Sequence, residues 1–469
     1  MPIVLLGSVG AITWAIRGTD GWGGIDGTIL PGMSWGILWW WLCFRRGIDA
    51  RGTPLWLGLG IALGGELGYG QYVAWIRGMF YLEDEIISIS PWTGYLWFFI
   101  CGIGWGAPGG VLLGWALSRK KSLAVWAARL LIPAGVAYLG WLLVQWRPEW
   151  FFPHHELGIY EGELSRHQDR TVYTNTQNFV VVAWWLGALM VALFQRDRFA
   201  WMAMLLIGGG FGFGFTLAAL WCLGYSYAPD LIDWWKMWEL NSGFNLGLLY
   251  TLLLYWTIRQ VDTEPEPEGS PTRSRLWFES IGMALGGFLL VYLMGAEFFA
   301  GTGFFLALMV AIPILLATRS GKQGFNPDLI MDRRKEVAFT YAIFLLLFML
   351  FWGVTSRLGV VLGLYDPSAV DQYAWPPARI ALFVPFGILV VGYTLVRYFK
   401  VLTSTDLSSN RTDPQRASIL LVDLMTLIGI VGAISIWPAK IGACYAIFLF
   451  LALFAFNRIN HRFNQVDQG

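Results

Sequence analysis

The sequence predicts an all-α, polytopic integral membrane protein with about 14 transmembrane helices and both termini in the cytoplasm. Three observations predict it. Hydrophobic residues make up 56% of the 469-residue chain and charged residues only 13%, about half the charged share of a soluble domain. The apolar residues fall in runs of about 20, the length that crosses the hydrocarbon core of a bilayer. Basic residues recur in alternate loops between those runs, as they do where Lys and Arg stay on the cytoplasmic side. This composition excludes a soluble enzyme, a disordered chain and a secreted disulfide scaffold. The 32 basic and 31 acidic residues nearly cancel, so no strong field draws the chain to nucleic acid.

The predicted spans lie near 2–16, 28–44, 54–75, 92–117, 123–146, 178–195, 199–224, 232–258, 277–298, 302–318, 337–354, 377–397, 417–436 and 438–457. The first lacks a basic leader and a small-residue cleavage site, so it reads as a retained span. The last two are parted only by Trp437-Pro438, where proline interrupts a helix. With the N-terminus inside, Arg45-Arg46-Arg51, Arg119-Lys120-Lys121, Arg196/Arg198, Arg259/Arg273/Arg275, Arg319 through Lys335 and Arg397 through Arg416 are all cytoplasmic. The lack of targeting signals adds a bacterial inner (cytoplasmic) membrane as the expected location.

The opposite face is acidic and aromatic, with Glu83-Asp84-Glu85 and an acidic loop over 149–169. Trp22, Trp92, Trp234-Trp235 and Trp375 mark the outer starts of spans. They read as an interfacial belt or as a vestibule whose rings stack on flat, partly apolar groups. The Trp184-Trp185 doublet and Trp105 within a Gly-rich span fit a belt less well.

Val261 to Arg275, VDTEPEPEGSPTRSR, is the one linker-like stretch, too polar to bury a core. The expected organisation is therefore an eight-span bundle over 1–260, a flexible cytoplasmic linker over 261–275 and a six-span bundle over 276–469. Gly64-Gly65-Glu66-Leu67-Gly68-Tyr69-Gly70 in span three matches Gly208-Gly209-Gly210-Phe211-Gly212-Phe213-Gly214 in span seven, and Trp97, Gly102 and Gly106 match Trp238, Gly243 and Gly247. The match reads either as a parallel internal repeat of spans 3–4 and 7–8 or as the shared composition of Gly-rich helices. Gly58/Gly60/Gly64/Gly68 and Gly102/Gly106/Gly110 read as helix-packing seams, or as points where a span unwinds to line a site. The four cysteines sit apart in apolar runs and read as buried free thiols.

A charge inside a span costs about 2.5–3.5 kcal/mol on insertion scales, so it usually faces a partner or a cavity. That singles out Glu66 in span three, Glu239 in span eight, Glu297 at the outer end of span nine and Asp423 in span thirteen. Lys236 lies three residues before Glu239 on the same helical face, so a local ion pair is the plain alternative to a coupling carboxyl. Asn241 and Asn245 continue the polar stripe of span eight. In the first outer loop, Arg17, Asp20, Trp22 and Asp26 stand among four glycines. The loop reads as a tight connection with Asp26 capping span two, or as a re-entrant loop whose Arg clamps an anion and whose Asp residues meet hydroxyls.

The loop from Pro153 to Asp169 holds three of the four histidines, but its spacing matches no metal motif; no metal or cofactor is expected. Expected partners are membrane lipids and a small-molecule or lipid-linked substrate. The leading function is a secondary transporter or translocase for a polar, carbohydrate-bearing or lipid-linked substrate, working by alternating access with an intramembrane carboxylate. The alternatives are a membrane-embedded glycosyl or acyl transferase at the outer face and a non-catalytic subunit of a membrane complex.

Overall fold

The computed structural model describes residues 1–17, 25–44, 50, 53–65, 67–82, 85–118, 120, 122–261 and 439–466. They are mostly helical and form two compact units: Met1–Gly65 together with the described residues from Leu254 onward, and Glu66–Leu253. Among the described residues, five helices are long and apolar enough to cross a membrane: Pro91–Leu117, Leu123–Trp146, Arg166–Phe194, Arg198–Tyr227 and Lys440–Ile459. These coincide with predicted spans four to seven and fourteen. Predicted spans nine to thirteen and nearly all of the linker lie outside the described residues.

In the first unit, α1 (Pro2–Arg17), α2 (Ile25–Phe44) and α3 (Thr53–Leu63) pack in sequence. The Trp35 indole donates to the Leu6 carbonyl at 3.0 Å, tying α2 to α1. A Cβ on Gly32 would lie 2.4 Å from the Leu57 carbonyl oxygen, so α2 and α3 touch backbone to backbone there. Helix α12 (Ala439–Val466) closes this unit against α1, with Trp41 of α2 and Phe456 at 5.0 Å between ring centroids.

The second unit begins at a break in predicted span three. Helix α3 ends at Leu63, Gly64 and Gly65 form a turn, Leu67–Tyr69 is irregular, and α4 covers only Gly70–Trp75. The chain then runs through a short antiparallel hairpin, β1 (Met79–Tyr81) and β2 (Ile86–Ser88), which departs from the all-helical expectation. Gly78, at φ +79°, makes the left-handed turn that feeds β1.

Helix α5 (Pro91–Leu117) is the buried centre of this unit, and α6 (Leu123–Trp146) lies outside it against α7 (Arg166–Phe194). Leu130, Leu131 and Leu139 of α6 are exposed, as suits a lipid-facing side. Helix α8 (Arg198–Ala203) runs through a π-helical turn at Met204–Gly209 into α9 (Gly210–Ala219), then through Leu220–Leu223 into α10 (Gly224–Tyr227). The glycine seam is present. Would-be Cβ atoms on Gly102, Gly106 and Gly110 fall 2.5–2.8 Å from the nearest atoms of Phe215, Ile207 and Ala203, and Gly114 meets Ala200 at 2.9 Å. The two helices therefore approach closely over about three turns, as small-residue faces allow.

One expectation is corrected. Helix α7 starts at Arg166, so the second half of the predicted outer loop is helical. Its polar residues Gln168, Thr171, Thr174, Asn175 and Asn178 are buried against protein, which a hydropathy scan for lipid-facing runs does not register. The glycine motifs that match in sequence take different backbones, a turn at Gly64-Gly65 and an irregular stretch at Leu67–Tyr69 against a helical one over 208–214. The Trp184-Trp185 doublet is packing. Trp185 donates to the Met204 carbonyl at 3.1 Å, and Trp184 meets Trp115 edge to face.

Trp92, Trp146 and Trp150 are strongly exposed at the end that the charge pattern assigns to the outside, as a belt requires. The 147–165 connection folds on itself. The Arg147 guanidinium lies over the Trp146 and Trp150 rings, and the Tyr160 hydroxyl donates to the Pro153 carbonyl at 2.8 Å. Burial, and then the nearby Glu156, raise the Tyr160 phenol above its ordinary value.

Candidate functional site

The break in span three places five consecutive residues, Gly68 to Tyr72, at the junction of α4, α5, α7, α9 and α11 (Trp234–Val261). On one side, the Tyr69 ring meets an aromatic cluster: Trp238 at 4.8 Å, Trp235 at 5.7 Å, Phe215 at 6.0 Å and Trp105 at 6.2 Å. Trp105 and Trp238 are fully buried, whereas Tyr69 and Trp235 keep partly exposed faces. The buried rings form a wall and the two exposed faces its rim.

On the other side, Gln71 and Tyr72 meet the polar face of α7. The Tyr72 hydroxyl donates to Asn175 Oδ1 at 2.7 Å and accepts from Asn178 Nδ2 at 3.1 Å. Asn178 Nδ2 also donates to the Gly68 carbonyl at 2.9 Å, and Asn175 Nδ2 to the Phe151 carbonyl at 2.7 Å. Thr174 donates to the Arg170 carbonyl at 2.8 Å, so its oxygen accepts from Gln71 Nε2. These bonds orient all three carboxamides, since a reversed amide would set oxygen against oxygen. Asn178 Oδ1 and Gln71 Oε1 are then buried acceptors with no donor.

Helix α11 supplies the charge. Lys236 Nζ lies 2.6 Å from Glu239 Oε2, and the Trp235 indole donates to Glu239 Oε1 at 3.0 Å. Both side chains of the pair are nearly or fully buried. The i,i+3 pair anticipated as the plain alternative is thus present, and Glu239 is a compensated carboxylate. Trp235, Trp238, Glu239 and Ser242 recur at i, i+3, i+4 and i+7, which sets them on one face. Trp238 Nε1 and Ser242 Oγ on that face are buried without a hydrogen-bond partner. Leaving such a group unsatisfied costs about 1–3 kcal/mol, and native structures carry few of them.

The other predicted site residues divide as follows. Asn241 and Asn245 bond each other at 3.5 Å, and Asn245 Nδ2 donates to the Gly214 carbonyl at 2.8 Å, so this pair ties α11 to α9. Asp26 is the second residue of α2, inside the first turn rather than ahead of it in a capping position. Arg17 ends α1; the side chains of both lie outside the description. Asp20, Trp22, Glu66 and Glu297 lie outside the described residues, as does Asp423. Sequence reasoning missed Gln71, Tyr72, Asn178, Trp238 and Ser242 as site residues. Ser242 was reachable from its i+3 spacing to Glu239.

The histidines of the 153–169 stretch have other partners. His154 lies 3.7 Å from Glu156, His155 stacks on Tyr160, and His167 stacks on Tyr81. Among the described residues, no cluster of three or more His, Cys, Asp or Glu side chains is placed to hold a metal. Cys43, Cys101, Cys222 and Cys444 are free thiols, the first three buried.

No protein-family model matches the chain, and no curated protein or solved structure is significantly similar to it.

Proposed function

We propose that the protein is a secondary transporter or translocase for a polar substrate, working by alternating access in a bacterial inner membrane. The observation that carries this reading is the buried Lys236–Glu239 pair, set beside a broken span and unsatisfied polar groups. Ionisable groups inside a membrane bundle mark substrate and ion pathways, and interrupted spans line the central sites of carriers. A pair such as this is also a coupling device. Protonating Glu239 removes the attraction to Lys236 and frees the ammonium, so proton binding and rearrangement of α11 become linked.

The test uses proteoliposomes, an imposed pH gradient and a panel of radiolabelled polar solutes. A carrier accumulates one of them chemically unchanged, and Glu239→Gln abolishes the dependence on the gradient while leaving slow downhill movement. A chemically altered product would identify an enzyme instead. Gradient dependence that persists in Glu239→Gln would remove this carboxylate from the coupling role.

A further inference from the structure

Helix α7 ends in a turn that carries an unusual residue. The Arg196 N–H donates to the Leu193 carbonyl at 2.9 Å, and the Asp197 N–H donates to the Ala192 carbonyl at 2.9 Å. These are the paired bonds of a Schellman turn, whose left-handed position is most often glycine. Here that position is Arg196, at φ 51°. Arg196 is exposed, so burial of its side chain does not offset the backbone strain. What the position provides is a cation at the surface.

Two more cations gather at the same turn. Lys120, in the α5–α6 connection, donates through Nζ to the Gln195 carbonyl, which belongs to the peptide joining Gln195 to Arg196. That carbonyl takes one ammonium N–H and leaves the charge uncancelled. Arg198 is exposed one residue beyond Asp197. Asp197 is the one acid within 118–130 and 193–201. It is 4% exposed and already paired with Arg129 at 2.8 Å. Among the described residues, no carboxylate pairs with Lys120, Arg196 or Arg198. The Ser118 hydroxyl also donates to Asp197, so the two connections are tied together and the three cations are held as a group.

Apolar side chains stand within three residues of these cations. Leu193 and Phe194, the last residues of α7, are 51% and 83% exposed, and Leu123, the first of α6, is 64% exposed. The group lies at the end that the charge pattern assigns to the cytoplasm, where basic side chains meet anionic headgroups. A soluble anion would meet the cations and leave the apolar side chains uncovered. A lipid of zero net charge would do the opposite. We propose that the α5–α6 and α7–α8 connections bind an anionic phospholipid, its phosphate at Lys120, Arg196 and Arg198 and its acyl chains over Leu123, Leu193 and Phe194. This assignment is independent of the transport reading.

The test is native mass spectrometry of the full-length, delipidated protein. The probes are dioleoyl phosphatidylglycerol, dioleoyl phosphatidylcholine and water-soluble glycerol 3-phosphate. Phosphatidylglycerol should bind saturably and about tenfold or more tighter than either of the others. Combining Lys120→Gln, Arg196→Gln and Arg198→Gln should weaken that binding about tenfold or more. Removing three charges from another loop, with Arg45→Gln, Arg46→Gln and Arg51→Gln, should leave it nearly unchanged. Arg196→Gly gives a second readout, because glycine relieves the left-handed backbone. Its lipid-free form should melt no lower than the parent and still bind phosphatidylglycerol more weakly. The proposal is overturned if phosphatidylglycerol binds no better than phosphatidylcholine, or if glycerol 3-phosphate binds as tightly. It is also overturned if the two triple variants bind alike, or if Arg196→Gly binds the lipid like the parent.

Discussion

Replacing Lys236 with Met is expected to destabilise the protein by about 3–5 kcal/mol, because it removes the cation from a buried carboxylate. The side-chain volume is roughly kept, so the loss comes from charge rather than from a cavity. The double variant Lys236→Met with Glu239→Gln should recover most of that loss, since replacing both charges with neutral groups of similar size is often near neutral. Thermal melting in detergent reads both values. If the single variant melts like the parent, the pair is solvated and the electrostatic account of the site fails. The double variant should fold and yet lose gradient-driven movement, which separates the pair's structural contribution from its functional one.

Replacing Asp197 with Ala should cost a comparable amount at the opposite end of the second unit. Asp197 Oδ2 accepts from Arg129 Nη2 at 2.8 Å and from the Ser118 hydroxyl, and Arg129 Nη2 also donates to Ser118 Oγ at 2.6 Å. The pair is 1% and 4% exposed, and it joins the end of α5, the first half of α6 and the α7–α8 turn. Asp197 also caps α8 through the Ala200 N–H at 3.2 Å. Alanine therefore removes a cap worth about 1 kcal/mol and strands a buried guanidinium, for a total of about 3–5 kcal/mol. Asp197→Asn keeps an acceptor for the cap and loses the charge, so it should fall between Asp197→Ala and the parent. Melting temperatures of the three proteins check the order. Equal values for Asp197→Ala and the parent would contradict it.

Legibility in the sequence followed the physics of each element. Helices α5 and α6 begin and end within a residue of their predicted bounds, because each is a continuous apolar run flanked by Ser, Pro or basic residues. The start of α7 was hidden because Gln168, Thr171 and Asn175 look like loop residues to any scan for lipid-facing runs, although they face protein. The turn at Gly64-Gly65 and the irregular stretch Leu67–Tyr69 were readable only as one of two alternatives, a packing seam or an unwound span. Glycine tolerates helix and turn alike, so packing gave the matching stretches Gly64–Gly70 and Gly208–Gly214 different backbones. Within the site, the Lys236–Glu239 pair was readable from its spacing on one helix. The Gly68–Asn178 and Tyr72–Asn175 contacts were not, since they join distant segments and depend on the unrecognised first turns of α7.

Alternating access requires that the polar face of α11 be reached in turn from both sides of the membrane. Trp235 is partly exposed on that face. It can be changed to Cys in a protein whose four native cysteines are replaced by Ala. The decisive measurement is the rate at which a membrane-impermeant maleimide alkylates this thiol in right-side-out and in inverted vesicles. Alternating access predicts alkylation from both faces, with the balance shifted when Lys236→Met and Glu239→Gln are combined. Alkylation from one face only, unchanged by the double substitution, would show a fixed cavity and contradict the claim.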